Sequence, residues 1–205
     1  MLDLNALGIA AISVMAFAVA GWLLSLRLRN VGIVDSMWSL MFLLAASAYF
    51  LSIDVTGPRA TIVMILLATW AIRLSAYITW RNWGEGEDFR YQAIRANNEP
   101  GFSIKSLYIV FGLQAVLALT ISLPLFAAIG GHAPLGILDF VAVMLWVTGF
   151  IFEAGGDWQL SRFKADPANK GKVLDRGLWR LTRHPNYFGD FCVWWGFFLM
   201  ALSSR

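Results

Sequence analysis

Apolar residues run along this chain in long blocks, and six of these blocks approach the roughly 20 residues a helix needs to cross a bilayer core. They cover residues 6–26, 33–52, 60–80, 106–129, 137–160 and 186–203. None alternates with the two-residue period of a barrel strand. The pattern therefore predicts an all-α, polytopic transmembrane helical bundle with six visible spans. Connections are short except for two polar loops, at about 81–105 and 161–185. No repeat, low-complexity tract or flexible linker divides the chain, so one bundle domain over 1–205 is expected.

Composition strengthens this reading. Hydrophobic residues make up 59% of the 205, with ten Trp and fifteen Phe, against about 45–50% in soluble domains. The single Cys192 lies inside an apolar block, which excludes a disulfide framework and fits a packing role. Arg27 and Arg29 follow the first block and no positive charge precedes it, the reverse of a secretory signal, so a retained span is expected.

Loop charge sets the orientation. Arg27 and Arg29, then Arg81, Arg90, Arg95 and Lys105, then Arg162, Lys164, Lys170, Lys172, Arg176, Arg180 and Arg183 occupy alternate connections. These connections are expected in the cytoplasm, and "IDVTGP" and "GGHAPLG" outside with the N-terminus. The location this implies is a membrane crossed several times, with the basic connections on its cytoplasmic side. The net charge of +3 follows from this bias; it needs no nucleic-acid partner and suits membrane lipids. The two His residues fall on opposite sides, too far apart for a metal cluster, and His132 reads as a plain loop residue.

Ionisable groups inside spans are costly and count as functional-site hypotheses. Here they are Asp35, Arg73, Asp139, Glu153, Asp157 and Asp190. Asp139 sits near an outer end and reads as interfacial; the rest fall in the cytoplasmic half. Glu153 and Asp157 are four residues apart, hence on one helix face, and Gly155 and Gly156 between them permit close approach. Two readings stand side by side: a structural ion-pair network in which Arg73 neutralises a carboxylate, and a polar cavity open to the cytosol.

The stretch "LTRHPNYFGD" bears on that choice. Pro185 suits a first helical turn, so the last helix is expected to start at or beside His184, directly after Arg176, Arg180 and Arg183. A helix N-terminus flanked by guanidinium groups favours phosphate. Asn186 and Asp190, four apart, could bond ribose hydroxyls or an amide. A phosphate-bearing ligand entering from the cytosol is the expectation, with lipid headgroups as the plainer one. The loop "WRNWGEGEDFRYQAIRANNEPG" adds basic residues among aromatics, but its "GEG" lacks the third Gly and the preceding strand of a dinucleotide fingerprint.

"RGLWRLTRHPNYFGDFCVWWGFFL", with "EAGGDWQLSRFK", "VDSMWSLMF" and "RNWGEGEDFRY" upstream, resembles the membrane steroid 5-alpha-reductase-like superfamily, most closely its bacterial branch of unknown function. The resemblance implies a seven-helix-type bundle that uses NADPH from the cytosolic side to reduce a carbon–carbon double bond conjugated to a carbonyl. The substrate it implies is a steroid-like or other lipid enone. The family's "N-x-x-G-[ED]" cofactor contacts fall on Asn186 and Asp190, its acidic residue before a basic run on Asp157 with Lys164 beyond, and its early Arg and Tyr on Arg73 and Tyr77. With their basic and polar neighbours, the expected NADPH-binding set is Arg73, Arg81, Arg90, Glu153, Asp157, Arg162, Lys164, Arg176, Arg180, Arg183, His184, Asn186, Tyr187 and Asp190.

The departures fall at the chemistry. Steroid reductases carry a Gln-Glu pair and a Tyr that engage the enone carbonyl, whereas this chain has "VDSMWS" in that region and Trp70 near the Tyr position. Asp35, Tyr77 and Tyr91 are the candidate catalytic replacements, since a hydrogen-bonding acid stabilises charge forming on the carbonyl oxygen. Family members continue past the last helix, so the chain ending in "LMALSSR" is expected to be C-terminally truncated. The main rival is a membrane methyltransferase of the isoprenylcysteine or phospholipid type, which shares the bundle and a "RHPxYxG" helix start. Its cofactor, S-adenosylmethionine, has a sulfonium and no phosphate, whereas the seven Lys and Arg of residues 161–183 suit a polyanion. A non-enzymatic lipid-binding protein would leave the five cytoplasmic-half ionisable groups unexplained.

Overall fold

The structure, a computed structural model, describes residues 3–54 and 56–204. It is all-helical, with no strand among the described residues. Five helical stretches are long and apolar enough to cross a membrane: Leu4–Leu28, Ile33–Ser52, Pro58–Asn82, Phe102–Ile129 and Ile137–Ala165. The chain is a multi-pass membrane protein. The sixth expected span is a 19-residue helix, Pro185–Ser203, whose Asn186, Tyr187 and Asp190 lower its hydropathy, and it is not among those five.

The helices form two compact units, one ending at Gly131 and the other starting at His132. In the first, α1 (Leu4–Leu28) starts on Asp3, whose side chain accepts a hydrogen bond from the Ala6 N–H at 3.0 Å, and ends where Arg29 turns left-handed at φ 53°. Its buried face is a stripe of small residues, Ala6, Ala10, Val14, Ala18, Gly21 and Ser25, which lets α2 (Ile33–Ser52) lie close. The Met37 thioether fills the place a side chain at Gly21 would occupy. α3 (Pro58–Asn82) opens with Pro58 and is tied to α2 by the buried Ser39 hydroxyl, which donates to the Ala71 carbonyl at 2.8 Å. α4 (Phe89–Asn98) is a short helix within the first polar loop.

The 28-residue stretch Phe102–Ile129 is not one regular helix. α5 (Phe102–Ser106) passes into a π-helical turn at Leu107–Gly112, then α6 (Leu113–Ile121) and α7 (Leu123–Ile129). The break between α6 and α7 comes at Pro124, which lacks the N–H that would continue the ladder. Ser122 covers the break: its hydroxyl bonds the Leu119 carbonyl at 2.8 Å and pairs with the Tyr49 hydroxyl at 2.9 Å. α2 touches α1, α3, α6 and α7 and forms the centre of this unit.

The second unit is an antiparallel pair, α8 (Ile137–Ala165) and α9 (Pro185–Ser203). Its seam is made of glycines. A Cβ on Gly149 would meet the Gly189 carbonyl oxygen at 2.5 Å, and one on Gly196 the Ala142 carbonyl oxygen at 2.9 Å. Near one end of the seam Gly156 faces Pro185 and Asn186. At the other end Asp139, in the first turn of α8 at the end of its span, is buried. It accepts from the Gly136 N–H at 2.9 Å, capping its own helix, and from the Ser203 hydroxyl at 2.7 Å.

Because the obstacle at Gly149 and Gly189 is backbone, it cannot rotate away. Gly149→Ala and Gly189→Ala are each expected to destabilise by about 1–3 kcal/mol, read by equilibrium unfolding in detergent. Gly8→Ala, on an exposed face with nothing within 4 Å, is expected to stabilise by up to about 1 kcal/mol.

Candidate functional site

In the second unit the sequence at 184–186 makes the site. His184 is the N-cap residue of α9, Pro185 its first residue, and Asn186 lies in the turn where backbone N–H groups lack intrahelical acceptors. The Asn186 amide nitrogen donates to the Asp157 carboxylate at 3.3 Å. The Asn186 carbonyl oxygen, Oδ1, is buried and accepts no hydrogen bond among the described residues. Glu153, one turn along α8, is 3% exposed and Asp157 6%. Asp190 sits one turn into α9 from Asn186. Carboxylates as deeply withdrawn from water as Glu153 and Asp157 are costly unless partnered; these two and the half-buried Asp190 each have a partner in the structure.

A 3-10 turn at Gly177–Arg180 is bolted onto α8 beside this pair. The Trp179 indole N–H donates to the Gly156 carbonyl at 3.0 Å, and the Leu178 N–H donates to Gln159 Oε1 at 2.9 Å. Gly177 is left-handed, φ 62°, a conformation that favours glycine, and a Cβ there would meet the Gln159 amide at 2.6 Å and displace the group that accepts from Leu178. Between this turn and the last turns of α8 lies a cavity of about 480 Å³, whose lining includes Arg162, Arg176, Trp158 and Phe163. The Arg162 guanidinium rests on the Trp158 ring, 5.1 Å from its centroid. Lys164, Arg180 and Arg183 are exposed outside that lining, and the exposed His184 and Tyr187 rings stack at 5.2 Å.

Of the expected cofactor residues, Glu153, Asp157, Arg162, Lys164, Arg176, Arg180, Arg183, His184, Asn186, Tyr187 and Asp190 all belong to this unit. The structure joins Asp157 to Asn186, and Arg162 and Arg176 share the cavity. Trp158, Gln159 and Phe163 are further members of the site. Only the four-residue spacing of Trp158 and Arg162 on one helix face signalled them in the sequence.

The first unit holds Asp35, Arg73, Tyr77, Arg81, Arg90 and Tyr91. Asp35, in the first turn of α2, is met by α4. The Tyr91 hydroxyl donates to one carboxylate oxygen at 2.5 Å and Arg90 to the other at 3.0 Å. Arg73, Tyr77 and Arg81 follow one another at four-residue steps on α3, with the Arg81 guanidinium over the Tyr77 ring at 5.7 Å. Burial first, and then the neighbouring Asp35 carboxylate, push the Tyr91 phenol well above its ordinary value, so its proton stays on oxygen at neutral pH. Arg90 is also bound by Asp88, which holds the guanidinium charged.

A second clamp, not visible in the sequence, lies beside the first. Glu87 accepts from Arg95 at 2.8 and 2.9 Å and from the Val31 N–H at 2.8 Å, tying the loop to the α1–α2 turn. The Arg95 guanidinium also covers the Phe102 ring at 4.5 Å. These contacts make the polar segment 83–101 a fastened strap whose own Tyr91 is buried.

The architecture is that of a helical membrane protein whose second unit has a cleft at the polar end of its hairpin. A family model described as "Protein of unknown function (DUF1295)" matches residues 21–205, and the chain belongs to that family. The chain is similar to uncharacterized protein C594.04c of Schizosaccharomyces pombe, strain 972 / ATCC 24843. The two are 26% identical over 212 residues, covering 90% of this chain and 61% of that protein. The chain thus spans less than two thirds of that relative's length. No solved structure matches it.

Burial opposes charge on Glu87, but hydrogen bonds from Arg95 and the Val31 N–H outweigh it and hold the carboxyl below its ordinary 4.5. The Arg90 side chain and N–H do the same for Asp88, below 3.8. The sign follows: the strap's stability is complete above pH 4.5 and is lost as pH falls through the depressed values. Amide hydrogen exchange over residues 88–98 is expected to accelerate below that pH, and Glu87→Gln to remove most of the dependence.

Proposed function

We propose that the chain is an NADPH-dependent membrane oxidoreductase of the steroid 5-alpha-reductase-like superfamily. Its reaction is reduction of a carbon–carbon double bond conjugated to a carbonyl in a lipid-like substrate, with the cofactor side facing the cytoplasm. One observation carries this reading: Asn186 Oδ1, a buried acceptor without a hydrogen bond, beside Asp157 at the start of α9. Such an atom calls for a donor, and the ribose hydroxyls and carboxamide of a nicotinamide nucleotide are donors. A neutral lipid tail offers none.

The residues fit the group chemically. Asn186 would receive its hydroxyl or amide donor, with Asp157 fixing the Asn186 rotamer from behind. The first-turn N–H groups of α9 and the guanidinium groups of Arg162, Arg176, Arg180 and Arg183 would face its phosphates. When bound, NADPH supplies a hydride to the β-carbon of the enone. The proton for the adjacent carbon has to come from the protein or water. Asp35, Tyr77 and Tyr91 are the proposed proton-bearing groups.

The test is binding of NADPH and of S-adenosylmethionine to the purified chain in lipid nanodiscs. NADPH is expected to bind selectively, and Asn186→Ala and Asp190→Ala each to weaken it about tenfold or more. Selective binding of S-adenosylmethionine would instead make the protein a methyltransferase, and binding of neither would point to a non-enzymatic lipid-binding role.

A further inference from the structure

We infer that the indole N–H of Trp146 holds a neutral oxygen at the membrane-buried end of the lipid substrate, remote from the bond that is reduced. The inference rests on the reading above of a lipid-like substrate and adds where the far end of that lipid is bound.

Trp146 lies on the seam face of α8, where a Cβ on Gly196 of α9 would meet its own Cβ at 3.0 Å. It is nine residues beyond Ile137, the start of the helix, and eleven before Asp157. At the helical rise these are about 13.5 and 16.5 Å along the axis, so the indole sits near the middle of a hydrocarbon core about 30 Å thick. Tryptophans of membrane proteins favour the headgroup level, where the N–H finds a partner. This one is set far from it. An atom about 16.5 Å from Asp157 is also too distant to hold the carbonyl conjugated to a bond reduced beside Asn186.

Trp146 is 4% exposed, and its Nε1 is buried with no hydrogen-bond acceptor among the described residues. The ring next to it does not serve as one. Phe150 stacks on the indole with centroids 5.0 Å apart and planes 13° from parallel, so the N–H, which lies in the indole plane, runs alongside the phenyl face instead of pointing into it. A buried donor left unpaired is destabilising, and a hydrocarbon tail offers it nothing. Because an indole donates and does not accept, the atom that completes it is an acceptor. A charged oxygen at this depth would be costly, which leaves a carbonyl, ester or ether oxygen. Phe150 is only half-buried, so the ring pair reaches the helix surface and gives a lipid a way in. The two positions together describe a substrate with its reducible carbonyl end near the start of α9 and a second, neutral oxygen deeper in the membrane.

The test uses the full chain with 15N-labelled indoles in nanodiscs of ether-linked phosphatidylcholine, which has no carbonyl of its own, and two probes, 9-heptadecanone and heptadecane. Of the ten tryptophan N–H signals, the one that Trp146→Phe removes belongs to Trp146. Its proton is expected to move downfield with the ketone and to stay in place with the hydrocarbon. Trp146→Phe keeps a ring to stack on Phe150 and deletes only the donor. It is expected to weaken ketone binding about tenfold while leaving the unfolding temperature of the free protein unchanged or raised. A Trp146 signal that ignores the ketone overturns the proposal. So does a lower unfolding temperature in Trp146→Phe with ketone binding intact, which would make the N–H a structural group. A downfield shift in ester-linked phosphatidylcholine with no response to the ketone also overturns it, and assigns the N–H to bulk lipid carbonyls. Failure of the reductase reading alone would look different: the ketone would still move the Trp146 signal, while NADPH failed to bind.

Discussion

Backbone meeting backbone at Gly149 and Gly189 is the constraint on which the second unit depends. In lipid there is no hydrophobic gain from pressing two apolar helices together, so association relies on close packing and on the polar contacts that packing permits. Glycines seven residues apart on each helix, Gly149 with Gly156 and Gly189 with Gly196, keep one seam open along the whole crossing. The register this imposes sets Asp157 opposite Asn186 and Asp139 opposite Ser203. The polar contacts are thus a product of the glycine spacing. A bulkier seam would separate Asp157 from Asn186 without any change to either residue.

The two units handle charge differently. At the α4 strap, carboxylates and guanidinium groups meet in partly exposed pairs. Asp35 with Arg90 is a contact in which the Arg side chain is 55% exposed, so water screens it. The strap's strength comes from the cooperation of such pairs with the backbone N–H of Val31 and the face of Phe102. In the α8–α9 pair, Glu153 and Asp157 are almost entirely withdrawn from water. There the geometry of hydrogen bonds decides whether a charge is tolerable, which is why one buried oxygen without a donor, on Asn186, weighs so heavily.

Much of the scaffold was legible in the sequence because apolar run length and proline placement are local signals. The start of α9 beside His184 followed from Pro185, and five of the six apolar blocks fall in helical stretches long and apolar enough to cross a membrane, with ends close to those expected. α8 runs five residues past its apolar block, to Ala165, because "SRFKA" is helix-forming but polar, and hydropathy reads only where the membrane stops. The π-helical turn at Leu107–Gly112 leaves no compositional trace. At the site, residue types were legible and partners were not. Asp157 and Asn186 each stood out, but their pairing depends on the α8–α9 register. Glu87 looked like one acid in a mixed loop until the fold placed Arg95 and Val31 against it.

The paired carboxylate contacts at the two ends of the hairpin also limit how it can move. Sliding α9 along α8 by one turn, about 5.4 Å, would bring Val193 or, in the other direction, Pro185 to the notch at Gly149 and break both end contacts at once. Piston motion is therefore closed to this pair. Any adjustment to a ligand has to be taken up by segment 166–184, whose two short 3-10 turns are held to α8 by individual hydrogen bonds. The hairpin behaves as a fixed jaw, and the polar segment as the part that can yield.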